Sequence, residues 1–474
     1  MVSFYLYDII FLVIFTLAVI IFLYTRKHNL KRQGVLYLYR TRVGIRFIEW
    51  TSIKFPKTLK ALQYLAVTSG FILMISMIYL IIKFSYFYLT SPIAAKAIKV
   101  PVIIPLVPYL PEIFKLDFLP PLYFTYWIII IAIIAIPHEF AHGIFARLHK
   151  IKIHSTGFGF LGPFLAAFVE PDEKKMEKLK KFPQLAILSA GTFANVIFTI
   201  ILALIFWLFF ISTFTPGGAI FNTYASNIIS TSSITSINDN IIDNINEIEN
   251  FVNKTETFTE IRANGTALFV FTDQLLLAIE NNFIYLPAIL DSPAFRAKLL
   301  GEAITQINNK KIKSLEELRT ELQKYSPGDK VTIKTIEENN EIKEYEIELI
   351  ENPADSNKAF LGIGVIPPQS EGIIGRVYLI IAKIKDPFTY YQSSLGSLGI
   401  FIYNLLWWCV LISISVALVN MLPLGIFDGG RFFYLTVLGI TGSKKIGEKA
   451  FKFSTYIFLL LIAALMIKWL LIFV

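Results

Sequence analysis

Residues 137–142 read PHEFAH, so His138 and His142 stand four positions apart, with Glu139 next to the first. On a helix that spacing puts both imidazoles on one face, where their nitrogens can converge on a single cation. A carboxylate one residue on lies close to any water such a cation would hold. It can take the proton that the water loses on attacking a carbonyl. The chemistry implied is metal-assisted hydrolysis. The setting is unusual for it, because the preceding run YWIIIIAIIAI has the character of lipid-buried helix. Three ionisable groups in one turn at lipid depth are costly, so packing alone does not account for them.

The rest of the chain has the same apolar character. Of 474 residues, 55% are hydrophobic and 17% charged, which excludes an ordinary soluble domain and indicates a polytopic membrane protein. The single cysteine, Cys409, excludes an intrachain disulfide and a cysteine-based structural zinc site, so a metal must be held by His, Asp or Glu. The net charge of +9 sits mainly beside apolar runs, where Lys and Arg set topology, and no nucleic-acid partner is expected.

Zinc requires a third protein ligand. An HExxHxxGxxH arrangement fails, because positions 145 and 148 are Phe145 and Leu148 and His149 falls one residue late. Glu170, Glu173 and Glu177 downstream form a second route. A third lies in NMLPLGIFDGGRFF, which holds Asn420, Pro423, Asp428, Gly429 and Gly430.

Which route is open depends on the spans. Candidate spans are residues 4–24, 61–89, 120–146, 183–211, 394–424 and 453–474, six in all. Residues 25–60 carry ten Lys and Arg against Glu49 alone, residues 90–119 three against two acids, and residues 147–182 eight. The positive-inside rule then makes 25–60 and 147–182 cytoplasmic and puts 212–393 and both termini outside. The third and fifth spans both end on the cytoplasmic side, which brings His138, His142 and Asp428 to one depth and favours Asp428, with the glutamates still open. Residues 98–111 (IKVPVIIPLVPYLP) are apolar but broken by four prolines, and read as an interfacial or protein-covered extended segment. STGFGFLGPFLAAFVEP, 155–171, reads as strand or re-entrant structure.

HExxH in one span and NxxPxxxxDG in another resemble the site-2 protease family of intramembrane zinc metalloproteases. The span between them adds SAGTFANVIF, with Gly191 and Asn195 similar to that family's GPxxN, although Thr192 replaces the proline. The resemblance implies Zn2+ held by His138, His142 and Asp428, Glu139 as catalytic base, and a substrate that is itself a transmembrane helix of a membrane-anchored protein. Asn195 and Asn420 offer amides that could hold an unwound substrate backbone or an oxyanion. Gly191 belongs to the same supporting set, Pro423 lets the chain bend ahead of Asp428, and Gly429 and Gly430 permit the tight turn that follows. The expected location is a prokaryotic cell membrane, with the active site toward the cytoplasm. Competing readings are an HExxH membrane protease of the prenylated-protein or heat-shock type, which would use a glutamate as third ligand, and a non-catalytic scaffold or metal transporter.

Residues 212–393 contain a duplication. Ile234, Thr235, Ile237, Asn238, Ile242 and Glu247 recur seventy residues later as Ile304, Thr305, Ile307, Asn308, Ile312 and Glu317. Each copy reads as a short strand, an Asn-rich turn and an amphipathic helix. The second copy, with DSPAFRAKLLGEAITQINNKKI and SPGDKVTIKTI, resembles a PDZ domain; the first lacks those turns. The resemblance implies contact with a peptide or a substrate ectodomain. The expected architecture is therefore an α-helical membrane protein of about six spans with an inserted extracytoplasmic α/β tandem PDZ-like region. Its divisions are N-terminal helices 1–119, core 120–211, modules 212–283 and 284–366, and core 367–474.

Overall fold

The computed structural model describes residues 4–33, 36–91, 106–116, 119–161, 164–242, 248–337, 341–366, 379 and 382–471. Residues 98–105 of the proline-rich segment and Glu247 of the first repeat lie outside them. Two compact units are present, one formed by Met1–Ser212 with Ser397–Val474 and the other by Thr213–Gly396.

In the first unit the helices longer than one turn are α1 (Phe4–Thr25), α2 (Ile45–Lys54), α3 (Pro56–Thr90), α4 (Phe124–Leu148), α5 (Lys181–Thr213), α6 (Gly396–Asn420), α7 (Asp428–Thr441) and α8 (Lys444–Leu470). All but α2 and α7 are long and apolar enough to cross a membrane, giving the six expected spans. Ala66, Ala146, Ala186, Ala190 and Ala417 are fully buried, and small residues of this kind let helix backbones approach closely in lipid.

The fifth span stops at Asn420 instead of running on to 424. Pro423 has no amide to continue the ladder, and the Leu424 amide turns back onto the Leu422 carbonyl at 2.7 Å. The short helix α7 then begins at Asp428, an element that periodicity did not reveal. Two strands inside the basic loop after α1 were likewise unforeseen. They are β1 (Leu30–Gln33) and β2 (Leu36–Thr41), and they join β3 (Ile153–Leu161) and β4 (Phe164–Pro171) in one antiparallel sheet of order β1-β2-β3-β4. The segment read as strand or re-entrant structure is thus the β3–β4 hairpin, paired from Ser155↔Glu170 to Leu161↔Phe164. Its last strand, β4, packs on α4.

The start of α4 is held from outside the helix. Asp8 of α1 is 2% exposed and accepts from the Phe124 and Thr125 amides at 2.7 and 2.9 Å, the Thr125 hydroxyl at 2.5 Å and the Tyr109 hydroxyl at 2.6 Å. A carboxylate on the free amides of a helix N-terminus meets the positive end of its dipole. The described part of the proline-rich segment is covered by protein: the Leu106 carbonyl accepts from Trp127 Nε1 at 2.8 Å.

Within the second unit, the repeat is visible bond for bond. The Thr235 hydroxyl donates to the Arg262 carbonyl at 3.1 Å, as the Thr305 hydroxyl does to the Lys334 carbonyl at 3.1 Å. The Ile242 and Ile312 amides close onto the Thr235 and Thr305 carbonyls, and Asn238 and Asn308 both take the left-handed conformation at φ 45° and 47°. Strand 285–290 pairs with 226–230 and 266–271, so the first sheet runs past residue 283. The entering strand 214–219 pairs with the leaving strand 389–393, Phe214 opposite Ser393, which sets the two ends of this unit side by side.

Candidate metal centre

Helix α4 carries Pro137 in its interior, so the carbonyl of Ile133 receives no amide there, and the turn that follows holds His138, Glu139 and His142. The two imidazoles face each other with their Nε2 atoms 3.1 Å apart. Asp428, in the first turn of α7, brings Oδ2 to 3.2 Å from His142 Nε2 and 3.5 Å from His138 Nε2. Tetrahedral zinc with bonds of about 2.0–2.1 Å has ligand atoms roughly 3.3 Å apart, which is the size of this triangle. Among the described residues this is the one group of three that could hold a metal ion.

The surroundings fit such an ion. His142 Nδ1 lies 2.7 Å from the Ile187 carbonyl, which can only accept, so Nδ1 carries a proton and the neutral ring presents the lone pair of Nε2 to the site. Behind His138 stands the fully buried amide of Asn195, 3.0 Å from Nδ1, and Asn195 Oδ1 has no hydrogen-bond partner. With Nε2 free to bind, Nδ1 must be the protonated nitrogen. A half-turn of the Asn195 amide then satisfies both, its oxygen accepting from Nδ1–H. Gly191 closes the back of the site, where a Cβ would stand 2.3 Å from His142 Nε2 and 2.5 Å from His138 Nε2. No other residue fits there.

The sequence reading gave Gly429 and Gly430 a turn to make. They lie instead inside α7, where any Cβ would strike the backbone of the Met421–Leu424 bend within 2.4 Å. Their role is close approach, which seats α7 on the bend and brings Asp428 to the histidines. The alternative glutamates are elsewhere. Glu170 pairs with Arg40 at 2.7 Å and accepts from the Ser155 hydroxyl, Glu177 pairs with Arg431 at 3.4 Å, and Glu173 is exposed.

Glu139 borders a cleft of about 380 Å³ with His138, Asp428, Asn420 and Leu165–Ala167 of β4. Its Oε2 accepts from the Val169 amide of β4 at 3.1 Å. The cleft adjoins an apolar cavity of about 670 Å³ between α3, α6 and residues 106–122, with Leu106, Ile412, Val416, Asn420 and Phe427 common to both walls. Asn420 therefore faces the cleft, while Asn195, grouped with it from the sequence, stands behind His138. Sequence reasoning missed β4 as the partner of Glu139. The run FLAAFVE showed a strand, but nothing in it showed which helix its edge would meet.

Comparisons with known proteins agree with this geometry. The chain is 28% identical over 184 residues to the zinc metalloprotease RasP of Shouchella clausii, a match covering 34% of this chain and 44% of that protein. The profile of Peptidase family M50 matches residues 126–465, well over half of the sequence and inclusive of all three members of the triangle. The resemblance carried by HExxH and NxxPxxxxDG thus holds, and the chain belongs to Peptidase family M50.

Proposed function

We propose that the protein is a zinc metalloendopeptidase that hydrolyses peptide bonds within transmembrane segments of membrane-anchored proteins. The observation that carries this reading is the triangle of His138, His142 and Asp428 beside an apolar cleft among helices of membrane-spanning length. Those three residues would hold zinc, which supplies Lewis acidity, bringing the ionisation of water toward neutral pH and polarising a carbonyl. Glu139 takes the proton of the attacking water and delivers it to the leaving amine. Asn420 offers an amide donor to the developing oxyanion. Asn195 keeps the His138 ring in the tautomer that leaves Nε2 free.

A peptide bond in a helix is shielded, and unwinding in lipid leaves backbone groups unpaired at several kcal/mol each. Strand β4 can satisfy them. It ends its sheet, its Val169 amide points toward Glu139, and the two-residue period of a strand turns the amides of Leu165 and Ala167 the same way. A substrate unwound along this edge would lie beside the proposed base. The positive-inside pattern supports an active site near the cytoplasmic side. The SPAFRA and SPGDK turns support a PDZ-like second copy that contacts peptide or ectodomain.

The test is cleavage of tagged single-span proteins in reconstituted membranes. Glu139→Gln should retain zinc while cleavage falls about 10²–10⁴-fold, and replacing helix breakers near the cut site with Leu should slow the wild type. Undiminished cleavage by Glu139→Gln, or equal cleavage of a uniform poly-Leu span, would overturn the reading.

A further inference from the structure

Helix α2 carries apolar side chains on its outward face as well as on its buried one. Its buried side, Ile48 and Ser52, packs against α4. The outward side carries Arg46, Phe47, Trp50, Ile53 and Lys54 within an arc of roughly 120°. Phe47, Trp50 and Ile53 are 52%, 50% and 72% exposed, and Phe55 just beyond is 41% exposed. The rings form one surface: Phe47 stacks with Trp50 at 6.2 Å, Trp50 meets Phe55 edge-on at 5.7 Å, and Lys54 Nζ lies 4.7 Å from the Trp50 ring.

The charge on this face has one sign. Arg42, Arg46, Lys54, Lys57 and Lys60 are close to the rings in sequence, and the single acid among residues 42–60, Glu49, is taken by Arg147 of α4 at 3.3 Å. Among the described residues, Arg42, Arg46 and Lys57 have no carboxylate at ion-pair distance. Exposed aromatic and aliphatic side chains flanked by basic residues, on a short helix running straight into a span, match the chemistry of a bilayer's headgroup layer.

We propose that α2 is an interfacial helix that binds anionic phospholipid headgroups and thereby braces the metal-bearing turn of α4. The bracing follows from three contacts: the Phe47 ring lies 6.0 Å from Phe140, inside the HExxH stretch, Ile48 sits in the space left by Gly143, and Glu49 pairs with Arg147. A helix drawn into the headgroups holds these contacts, and one released from them does not. The bracing clause rests on the metal assignment made above, whereas lipid binding does not.

The experiment uses the full chain in nanodiscs of phosphatidylcholine alone or mixed with phosphatidylglycerol. A spin label at Trp50→Cys in a Cys409→Ser background reports depth, and native mass spectrometry reports which lipid is retained. The label should sit at the headgroup boundary, and phosphatidylglycerol should be retained several-fold over phosphatidylcholine. Arg46→Glu/Lys54→Glu/Lys57→Glu should abolish that preference while zinc content and thermal unfolding stay unchanged. Zinc loss to a chelator should be faster in phosphatidylcholine alone, a difference absent from the charge-reversed variant. A water-exposed label, a label buried against a second protein copy, or a preference that survives charge reversal would overturn lipid binding. Equal chelator rates in the two lipids would overturn the bracing.

Discussion

Helix α4 meets an aspartate of another helix toward each end, Asp8 buried and Asp428 half-buried, and the two are treated in opposite ways. At its start, Asp8 of α1 meets four donors within 2.9 Å, two of them backbone amides. At the far end, the polar contacts of Asp428 among the described residues are two imidazole nitrogens at 3.2 and 3.5 Å, and in a neutral ring protonated at Nδ1 such a nitrogen is a lone-pair acceptor. A carboxylate whose lone pairs are filled by fixed donors is structural, because nothing more can be gained by bringing a cation. A carboxylate facing other acceptors is incomplete without one. Saturation separates the anchor from the proposed ligand.

The sharpest break of that comparison is to remove each aspartate in turn. Asp428→Ala should abolish stoichiometric zinc by metal analysis, whereas Asp8→Asn should leave it intact. Parallel loss in both would show that the two ends are not distinct. Asp8→Asn should instead lower stability by about 2–4 kcal/mol, since it removes charge-assisted bonds from a buried network. Thermal unfolding in detergent measures this.

A smaller effect is expected behind His138. Asn195→Ala should weaken zinc binding about 10–100-fold, the usual consequence of losing the partner that orients a ligating imidazole. Competition with a chelator would show it, and an unchanged affinity would mean that Asn195 only packs.

The smallest expected effect comes from the second unit. Because Phe214 and Ser393 lie opposite each other in paired strands, a short Gly/Ser linker can replace residues 215–392 with little strain. Zinc stoichiometry should not change, and substrate choice should relax. Loss of zinc would show that this unit supports the membrane core.

Much of the site was legible before the fold was known. HExxH depends on helical periodicity alone, and the six spans follow from apolar length against bilayer thickness. The repeat of Thr235 and Thr305 could be read because equivalent strand and turn positions demand the same side chains twice. Asp8 was not legible. A lone acid in an apolar run says nothing of the distant Phe124 and Thr125 amides that it meets. The tasks of Gly429 and Gly430 were misread for a related reason, as close approach and turn formation both ask for glycine and only packing tells them apart.

The sequence by itself determined the ligand types, their helical spacing and the membrane setting, since these rest on local periodicity and on composition. Tertiary structure decided what each group faces: Asp428 toward the histidines, Glu139 toward the edge of β4, Asn195 behind His138 and Asn420 in the cleft. The two asparagines show the physical reason. They are chemically identical side chains, and the difference between the orienting role and the substrate-facing role proposed for them lies wholly in the neighbours that other elements bring to them.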